Sequence, residues 1–476
     1  MGAKFDMWIK KLGFNRGVPR LWIETPRISN AGLEPGMRFS IEPRGCALVL
    51  KPDAAGSNSV CSKTRNGRTV PVVDINSTAI LKPFEGQEVV RVVVRDDGVW
   101  IMPLASELAK KERIERLAAK LAAGEAIATA SLAHGGGILS HAAHTGLRDE
   151  GVQASLGFAN EIDEGYALQS TLCNEVSAEA NMLVAPLQEL AQDEWAMTHL
   201  PKVEVLEMGL PCSGASKAGK SKRGITMMES HPEVGHLVVA ALAVIQKVQP
   251  AVVVLENVEA YSTSASAEIL RSQLRDMGYN VSEVVLSARD FGCIENRVRW
   301  ILVAATDGLA IDAAQAVPVE AQVHAPVLGT MLDPVELDAE CWSELSYLKE
   351  KEVRDLAAGK GFGMQIVDAS STSVPTIRKH YNKGGSTDPY VQHAVNPNLL
   401  RKFTAAEHAR IKGVPTHLVE GLPATTAHEL MGQGIAYEPL RALFRLVGRS
   451  LNALKAEGAK FTQVSAAASR LSAVIG

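Results

Sequence analysis

No run in this 476-residue chain is long and apolar enough to cross a bilayer; the longest apolar stretches, such as residues 251–255, are strand-sized. A membrane-spanning protein is therefore not expected. Cysteine is scarce: there are six, none at paired spacing, which argues against a disulfide scaffold or a zinc pattern and suits a reducing compartment. Residues 1–11 lack the uninterrupted apolar core of a secretory signal, so a cytoplasmic location is expected. An excess of positive charge is also missing, the net charge being −4. Composition thus does not advertise nucleic-acid binding, although a large acidic domain can still carry a local basic cleft. What is present, 46% hydrophobic and 21% charged residues, is the make-up of a soluble globular protein. The length calls for two to three domains.

Residues 19–103 read as an irregular β-rich module. Alternating apolar runs at 38–41, 47–50, 89–94 and 99–102 are separated by turns such as Glu34-Pro35-Gly36 and Pro43-Arg44-Gly45. Each half ends in a strand pair followed by a proline, Pro52 or Pro103, which suggests a duplicated hairpin unit. Residues 106–123 follow a helical pattern stopped by Gly124. From Ile127 strands and helices alternate: strands are expected at 127–133, 155–159, 203–208, 251–255, 281–286 and 300–305, with a long apolar helix at 233–248. Such alternation implies a mostly parallel sheet covered on both faces. Residues 310–400 lose the rhythm, and helices return from Thr404.

In an open α/β sheet, ligands bind beyond the carboxyl ends of the strands. His134-Gly135-Gly136-Gly137 ends the first strand and opens a helix, where glycine lets the backbone approach a ligand and free N–H groups point outward. The next strand ends in Asn160-Glu161-Ile162-Asp163, placing an acid where a ribose diol needs an acceptor. Together they suggest a nucleotide-type cofactor. The strand at 203–208 delivers Gly209-Leu210-Pro211-Cys212-Ser213-Gly214, followed by a loop with Lys217, Lys220, Lys222 and Arg223. A cysteine is usually inert packing, but one after a proline at this edge, before a Gly/Ser/Lys loop, reads as a reactive thiol. Glu256-Asn257-Val258 brings a carboxyl group to the same edge. Arg297 and Arg299, at i and i+2 of an extended segment, are expected to project from one face; ion pairing is the alternative for all three charges.

Pro211-Cys212, then Glu256-Asn257-Val258, then Arg297-Val298-Arg299, each at a strand boundary, resemble the ordered signature of the cytosine-5 DNA methyltransferases. The likeness extends to Asn160-Glu161-Ile162-Asp163, to Arg401-Lys402-Phe403-Thr404 with Glu407, Arg410, Gly413 and Pro415, and to Gly432-Gln433-Gly434-Ile435, covering roughly residues 127–452. It implies an α/β, Rossmann-like S-adenosylmethionine-dependent catalytic domain, a smaller target-recognition domain and, here, an added N-terminal β-rich module. The implied division is 1–105 for that module, 106–125 for a helical linker, 126–310 for the catalytic domain, 311–420 for target recognition, 421–455 for a return to the catalytic domain and 456–476 for a tail. By the same resemblance Cys212 would attack carbon 6 of a flipped-out cytosine, Glu256 would hold or protonate ring nitrogen 3, and Arg299, supported by Arg297, would bind the carbonyl oxygen. S-adenosylmethionine would be held by His134, Gly135, Gly136, Gly137, Glu161, Ile162, Pro211 and Gln433. Double-stranded DNA would meet Ser216, Lys217, Lys220 and Arg223 in the mobile loop, and Thr376, Arg378, Gly384 and Gly385 in the recognition domain. The chemistry requires no metal.

The sequence also departs from the pattern. Ser131-Leu132-Ala133-His134-Gly135 replaces an Asp-Leu-Phe-Ala-Gly-like start, Ser213 follows the cysteine, Glu295-Asn296 replaces a Pro-Gln-like lead, and Gln433 stands where Asn is usual. The third-motif acid is not locatable, residues 188–193 being the nearest polar stretch. An RNA methyltransferase of the same family and a non-catalytic DNA-binding regulator are the alternatives. Residues 27–36 resemble the swapped-hairpin DNA-binding modules of small transcription regulators, and an oligomerising role, with a dimer through this module, stands beside a DNA-binding one. A bacterial or phage restriction-modification setting is implied by family association.

Overall fold

The computed structural model describes residues 6–211, 214, 224, 226–318 and 326–475, with side chains up to Glu457. The chain forms two compact units, 1–111 and 112–476.

The first unit is built from two antiparallel sheets. The hairpins Arg38–Arg44/Ala47–Pro52 and Val89–Arg95/Gly98–Met102 lie side by side, joined through Leu48 opposite Ile101. Strands Val18–Glu24 and Arg68–Asn76, one from each half, pair antiparallel with Leu21 opposite Ile75. The repeated Pro/Gly punctuation thus corresponds to a repeated strand–turn–hairpin unit. Alternation sends Leu21, Ile23, Phe39, Leu48, Leu50, Val73, Ile75, Val90 and Val92 into one core.

The second unit carries a seven-stranded sheet, here numbered β1 (Ile127–Leu132), β2 (Ala154–Glu161), β3 (Asn181–Val184), β4 (Val205–Met208), β5 (Val252–Asn257), β6 (Tyr279–Ser287) and β7 (Val298–Thr306). The order is β3-β2-β1-β4-β5-β7-β6, parallel from β3 to β5, with β7 antiparallel to both its neighbours. The strands expected from periodicity are present with shifted ends. The edge strand β3 was not expected: four residues with no fully buried side chain give no period to read. The apolar helix begins at Leu237 rather than Glu233, because residues after Pro232 form a turn closed by Gly235 N–H donating to His231 O.

The helix Ala105–Ala123 crosses the division between the units, and its part beyond Lys111 is anchored in the second. Arg113, fully buried, donates to Thr306 Oγ1 at 2.9 Å, Gln249 Oε1 at 2.8 Å and Met277 O at 2.8 Å, and lies over the Tyr279 ring. Arg116 and Lys120 both reach the buried Glu204. Residues 326–403 hold a small sheet, Gln365–Val367, Pro389–Gln392 and Leu400–Arg401, and one helix, Ser346–Ala357. A capping box on Thr404 and Glu407 opens the helix Ala405–Ile411. The last helix, Tyr437–Ile475, packs Leu440, Leu443, Phe444 and Val447 into the core that also takes Leu139, Ala143 and Leu147 of helix Ile138–Asp149. No described helix is long and apolar enough to cross a membrane.

Candidate active site

The carboxyl ends of β1 and β2 are tied together by one carboxylate. Glu161 accepts the Gly135 N–H at 2.6 Å through Oε2, and those of Ile162 and Asp163 at 2.9 and 3.0 Å through Oε1. Asp163 caps the next helix by accepting from Tyr166 N–H. Gly137 has φ of +73°, and a Cβ there would lie within 2.7 Å of Asn174, His134 and Ser170 side-chain atoms, so only glycine fits. The side-chain amide of Gln433 comes over Gly135, 3.7 Å from where its Cβ would be. Ile162, large and apolar, is 67% exposed beside the Glu161 carboxylate. A backbone-lined loop, an acid, an open apolar side chain and an amide are a fitting set for a nucleoside-bearing cofactor.

His134 requires a correction. Its imidazole is buried among hydroxyls, with Ser131 and Ser140 at Nδ1 and Ser170 and Ser177 at Nε2. Burial pushes its pKa down to about 4. Only its backbone belongs to the loop. Two of these serines, Ser131 and Ser140, also flank a residue that sequence reasoning missed: Glu207 of β4, fully enclosed and accepting a hydrogen bond from the Ser140 hydroxyl. An acid inside an apolar strand was the available signal. Burial pushes its pKa up to about 7. A carboxyl group whose pKa is raised on folding stabilises the native state below its ordinary value, and the contribution is lost as pH rises toward the folded pKa. Unfolding free energy is therefore expected to fall by about 3 kcal/mol between about pH 4.5 and 7 on account of this group and then to level off. In Glu207→Gln that decline should vanish. Urea titrations of both proteins at pH 5 and 8 check it, and parallel pH profiles would refute it.

At the adjacent strand ends, Glu256 closes β5 and Arg299 opens β7, with Arg299 Nε 2.8 Å from Glu256 Oε1. Both side chains are mostly buried. Asn257, next to Glu256, donates to Leu210 O at 2.9 Å and so fastens the segment after β4 to the end of β5. Pro211 is exposed just beyond it. Cys212, Ser216, Lys217, Lys220 and Arg223 lie outside the described residues. Among the described cysteines Cys293 is buried, and burial pushes its thiol up to about 12, which leaves it unreactive.

The two arginines do not share a face. The chain turns at Glu295–Arg297, with Arg297 N–H donating to Glu295 O, and β7 starts only at Val298. Strand alternation therefore does not reach Arg297. Its buried guanidinium donates to Gly434 O at 2.7 Å and Gly432 O at 3.4 Å and pairs with Glu295 at 3.5 Å. Lys412, fully buried and also unforeseen, donates to Met431 O and to Gly434 O, 2.8 Å away. Burial, with Arg297 nearby, drives the Lys412 pKa far down. With Lys412, Arg297 bolts the Gly432-Gln433-Gly434 turn to the base of β7.

Glu295 and Asn296, which depart from the family pattern, hold the segment at Thr376 and Ile377. Glu295 accepts the Ile377 N–H, and Asn296 O accepts the Thr376 hydroxyl at 2.6 Å. Arg378 pairs with Asp388 at 2.8 Å, and Asp388 also accepts the Gly385 N–H. Gly384 has φ of +68°. A Cβ on Gly432 would meet the Arg378–Lys379 peptide at 2.2 Å, so this segment lies directly on the turn that carries Gln433. Tyr381 is fully buried: its hydroxyl donates to Pro389 O and accepts the Phe403 N–H.

Comparison with known proteins places this arrangement in a family. Among curated proteins, Type II methyltransferase M.NlaX of Neisseria lactamica is 27% identical over 302 residues, 62% of this chain and 90% of that protein. M1.ScrFI of Lactococcus lactis subsp. cremoris is 27% identical over 253 residues, 51% of this chain and 62% of that protein. Among solved structures, the S. pombe Dnmt2 methyltransferase superposes with a TM-score of 0.53 at 19% identity, over 69% of this chain and 99% of that one, a likeness of fold. The model of the C-5 cytosine-specific DNA methylases matches residues 129–449, from the start of the central sheet into the last helix. The chain therefore belongs to the C-5 cytosine-specific DNA methylase family.

Proposed function

We propose that this chain methylates carbon 5 of a cytosine flipped out of double-stranded DNA, with Cys212, Glu256 and Arg299 acting on the base. The observation that carries the reading is the Glu256–Arg299 pair, held at the sheet edge and tied through Asn257 to the segment leading into Cys212. On a cytosine ring, nitrogen 3 and the carbonyl oxygen are neighbouring atoms. A carboxyl group beside a guanidinium matches them: Glu256 takes the nitrogen 3 and amino edge, and Arg299 donates to the oxygen. Drawing electrons toward that edge makes carbon 6 electrophilic. The Cys212 thiolate adds there, carbon 5 becomes nucleophilic, and after methyl transfer the carbon 5 proton leaves and Cys212 is expelled. S-adenosylmethionine supplies the activated methyl group, and Gly135–Gly137, Glu161, Ile162, Pro211 and Gln433 are the residues that would hold it.

Residues 311–420 are proposed as the target-recognition domain, with Thr376, Arg378, Gly384 and Gly385 beside the flipped nucleotide. Bisulfite sequencing of DNA from cells expressing the chain tests the whole reading. Protection of cytosines within one short recurring sequence is expected, and unprotected DNA alongside methylated RNA would overturn it.

The front unit is proposed to add affinity for the DNA backbone. Residues 1–111 hold 17 lysines and arginines against 11 acidic residues, a net of +6, whereas the remainder of the chain carries −10. An acidic catalytic unit acting on a polyanion gains from a basic neighbour. The exposed strand Cys61–Arg65 and the start of strand Arg68–Asn76 present Lys63, Arg65 and Arg68, the first two also paired with Glu24. Replacing Lys63 and Arg65 with Ala should lower the slope of log K against log salt by about 1 for each lost phosphate contact. An unchanged slope would favour the oligomerising role.

A further inference from the structure

Three segments far apart in sequence bring two imidazoles and a carboxylate together behind the glycine loop. His141 stands in the first turn of helix Ile138–Asp149, Glu175 follows the helix Glu164–Cys173, and His417 lies in the turn Thr416–Val419. His141 Nε2 is 2.9 Å from one Glu175 oxygen, and His417 Nε2 is 3.3 Å from the other. The three ligand atoms all lie within 4.8 Å of one another. We propose that His141, Glu175 and His417 form a binding site for one divalent transition cation of the Zn2+ class.

The orientation of the His141 ring supports this independently of its proximity to the other two. Tyr437 donates its hydroxyl proton to Thr145 Oγ1, and its oxygen lies 2.6 Å from His141 Nδ1. Tyr437 thus holds the Nδ1 side of the ring, the arrangement by which an outer hydrogen bond orients a metal-ligating histidine, while Nε2 faces Glu175 and would give up any proton there on binding an ion. Two imidazole nitrogens and a carboxylate are a borderline-soft ligand set that suits Zn2+ and its neighbours, not the oxygen cages of Ca2+ or Mg2+. The Glu175 and His417 side chains are about half exposed, so a fourth position would be open to water. The pairwise spacing falls outside every local metal motif, which is why the sequence reads as metal-free. An ion here would clamp the helix that opens after Gly137, and the residue beside Asn174 that holds Gly137 O, to the segment carrying His417. Its effect is on the rigidity of the cofactor loop, not on the bond-making step.

The test is calorimetric titration of chelator-treated full-length protein with Zn2+, beside His417→Ala and Glu175→Gln, both half-exposed positions that the fold tolerates. One Zn2+ per wild-type chain is expected, with at least about tenfold weaker binding in each variant and no heat from Mg2+. A Co2+-loaded wild type should show visible d–d bands without thiolate charge transfer, which separates this site from any cysteine site. Equal Zn2+ affinity in wild type and both variants, or no binding, would leave the three residues as a hydrogen-bonded triad and overturn the proposal.

Discussion

Cys212→Ala is expected to lose DNA methylation by at least about a thousandfold while DNA binding persists, since removing a covalent nucleophile elsewhere costs up to about 10⁶ in turnover. The expectation rests on position and on elimination. Asn257 fixes Leu210, two residues before Cys212, at the end of the strand that carries Glu256. Cys293, a few residues before β7, is buried with its thiol pushed up to about 12 and is no competitor. DNA containing 5-fluorocytosine separates the two. The fluorine cannot leave as the proton does, so the adduct accumulates and survives a denaturing gel. Wild type and Cys293→Ala should both trap, and Cys212→Ala should not. Trapping by Cys212→Ala would assign the nucleophile elsewhere.

Much of this site was legible because parallel α/β sheets put function at strand ends, and strand ends carry local signals. Gly135–Gly137, Glu161 and Glu256 each follow a run of buried apolar residues, and each stands where that pattern stops. What was not legible depends on contacts between distant segments. His134 looked like a cofactor contact because its neighbours are glycines, yet four serines from three segments draw the ring inward. Arg297 and Arg299 looked equivalent because spacing alone cannot reveal the turn at Glu295 that separates them. Lys412, just after the helix Ala405–Ile411, carries no local signal of burial. Its burial is caused by the carbonyls of Met431 and Gly434, which no local pattern announces. The pairing of the two front hairpins was hinted at by repeated prolines, since turn chemistry repeats when the unit repeats.

Glu256→Gln is expected to slow methylation by about 10²–10⁴-fold, the range for losing a positioned proton donor. That corresponds to about 3–5 kcal/mol of transition-state stabilisation. Glutamine keeps the size of the side chain and an oxygen facing Arg299, so the fold and DNA affinity should hold. It cannot deliver a proton to ring nitrogen 3, and negative charge must then build up there as Cys212 adds. The loss should therefore appear in the rate of trapping on 5-fluorocytosine DNA by the same factor, because the adduct-forming step itself is impaired. Arg299→Ala separates donation from positioning. With the guanidinium gone, Glu256 loses the charge 2.8 Å away that holds its carboxylate in place, and the carbonyl oxygen of the base loses its donor. Arg299→Ala should thus also weaken affinity for the flipped base, whereas Glu256→Gln should not. If Glu256→Gln methylates within tenfold of wild type while Arg299→Ala is severely impaired, Glu256 serves only to orient the arginine, and nitrogen 3 is protonated from another source.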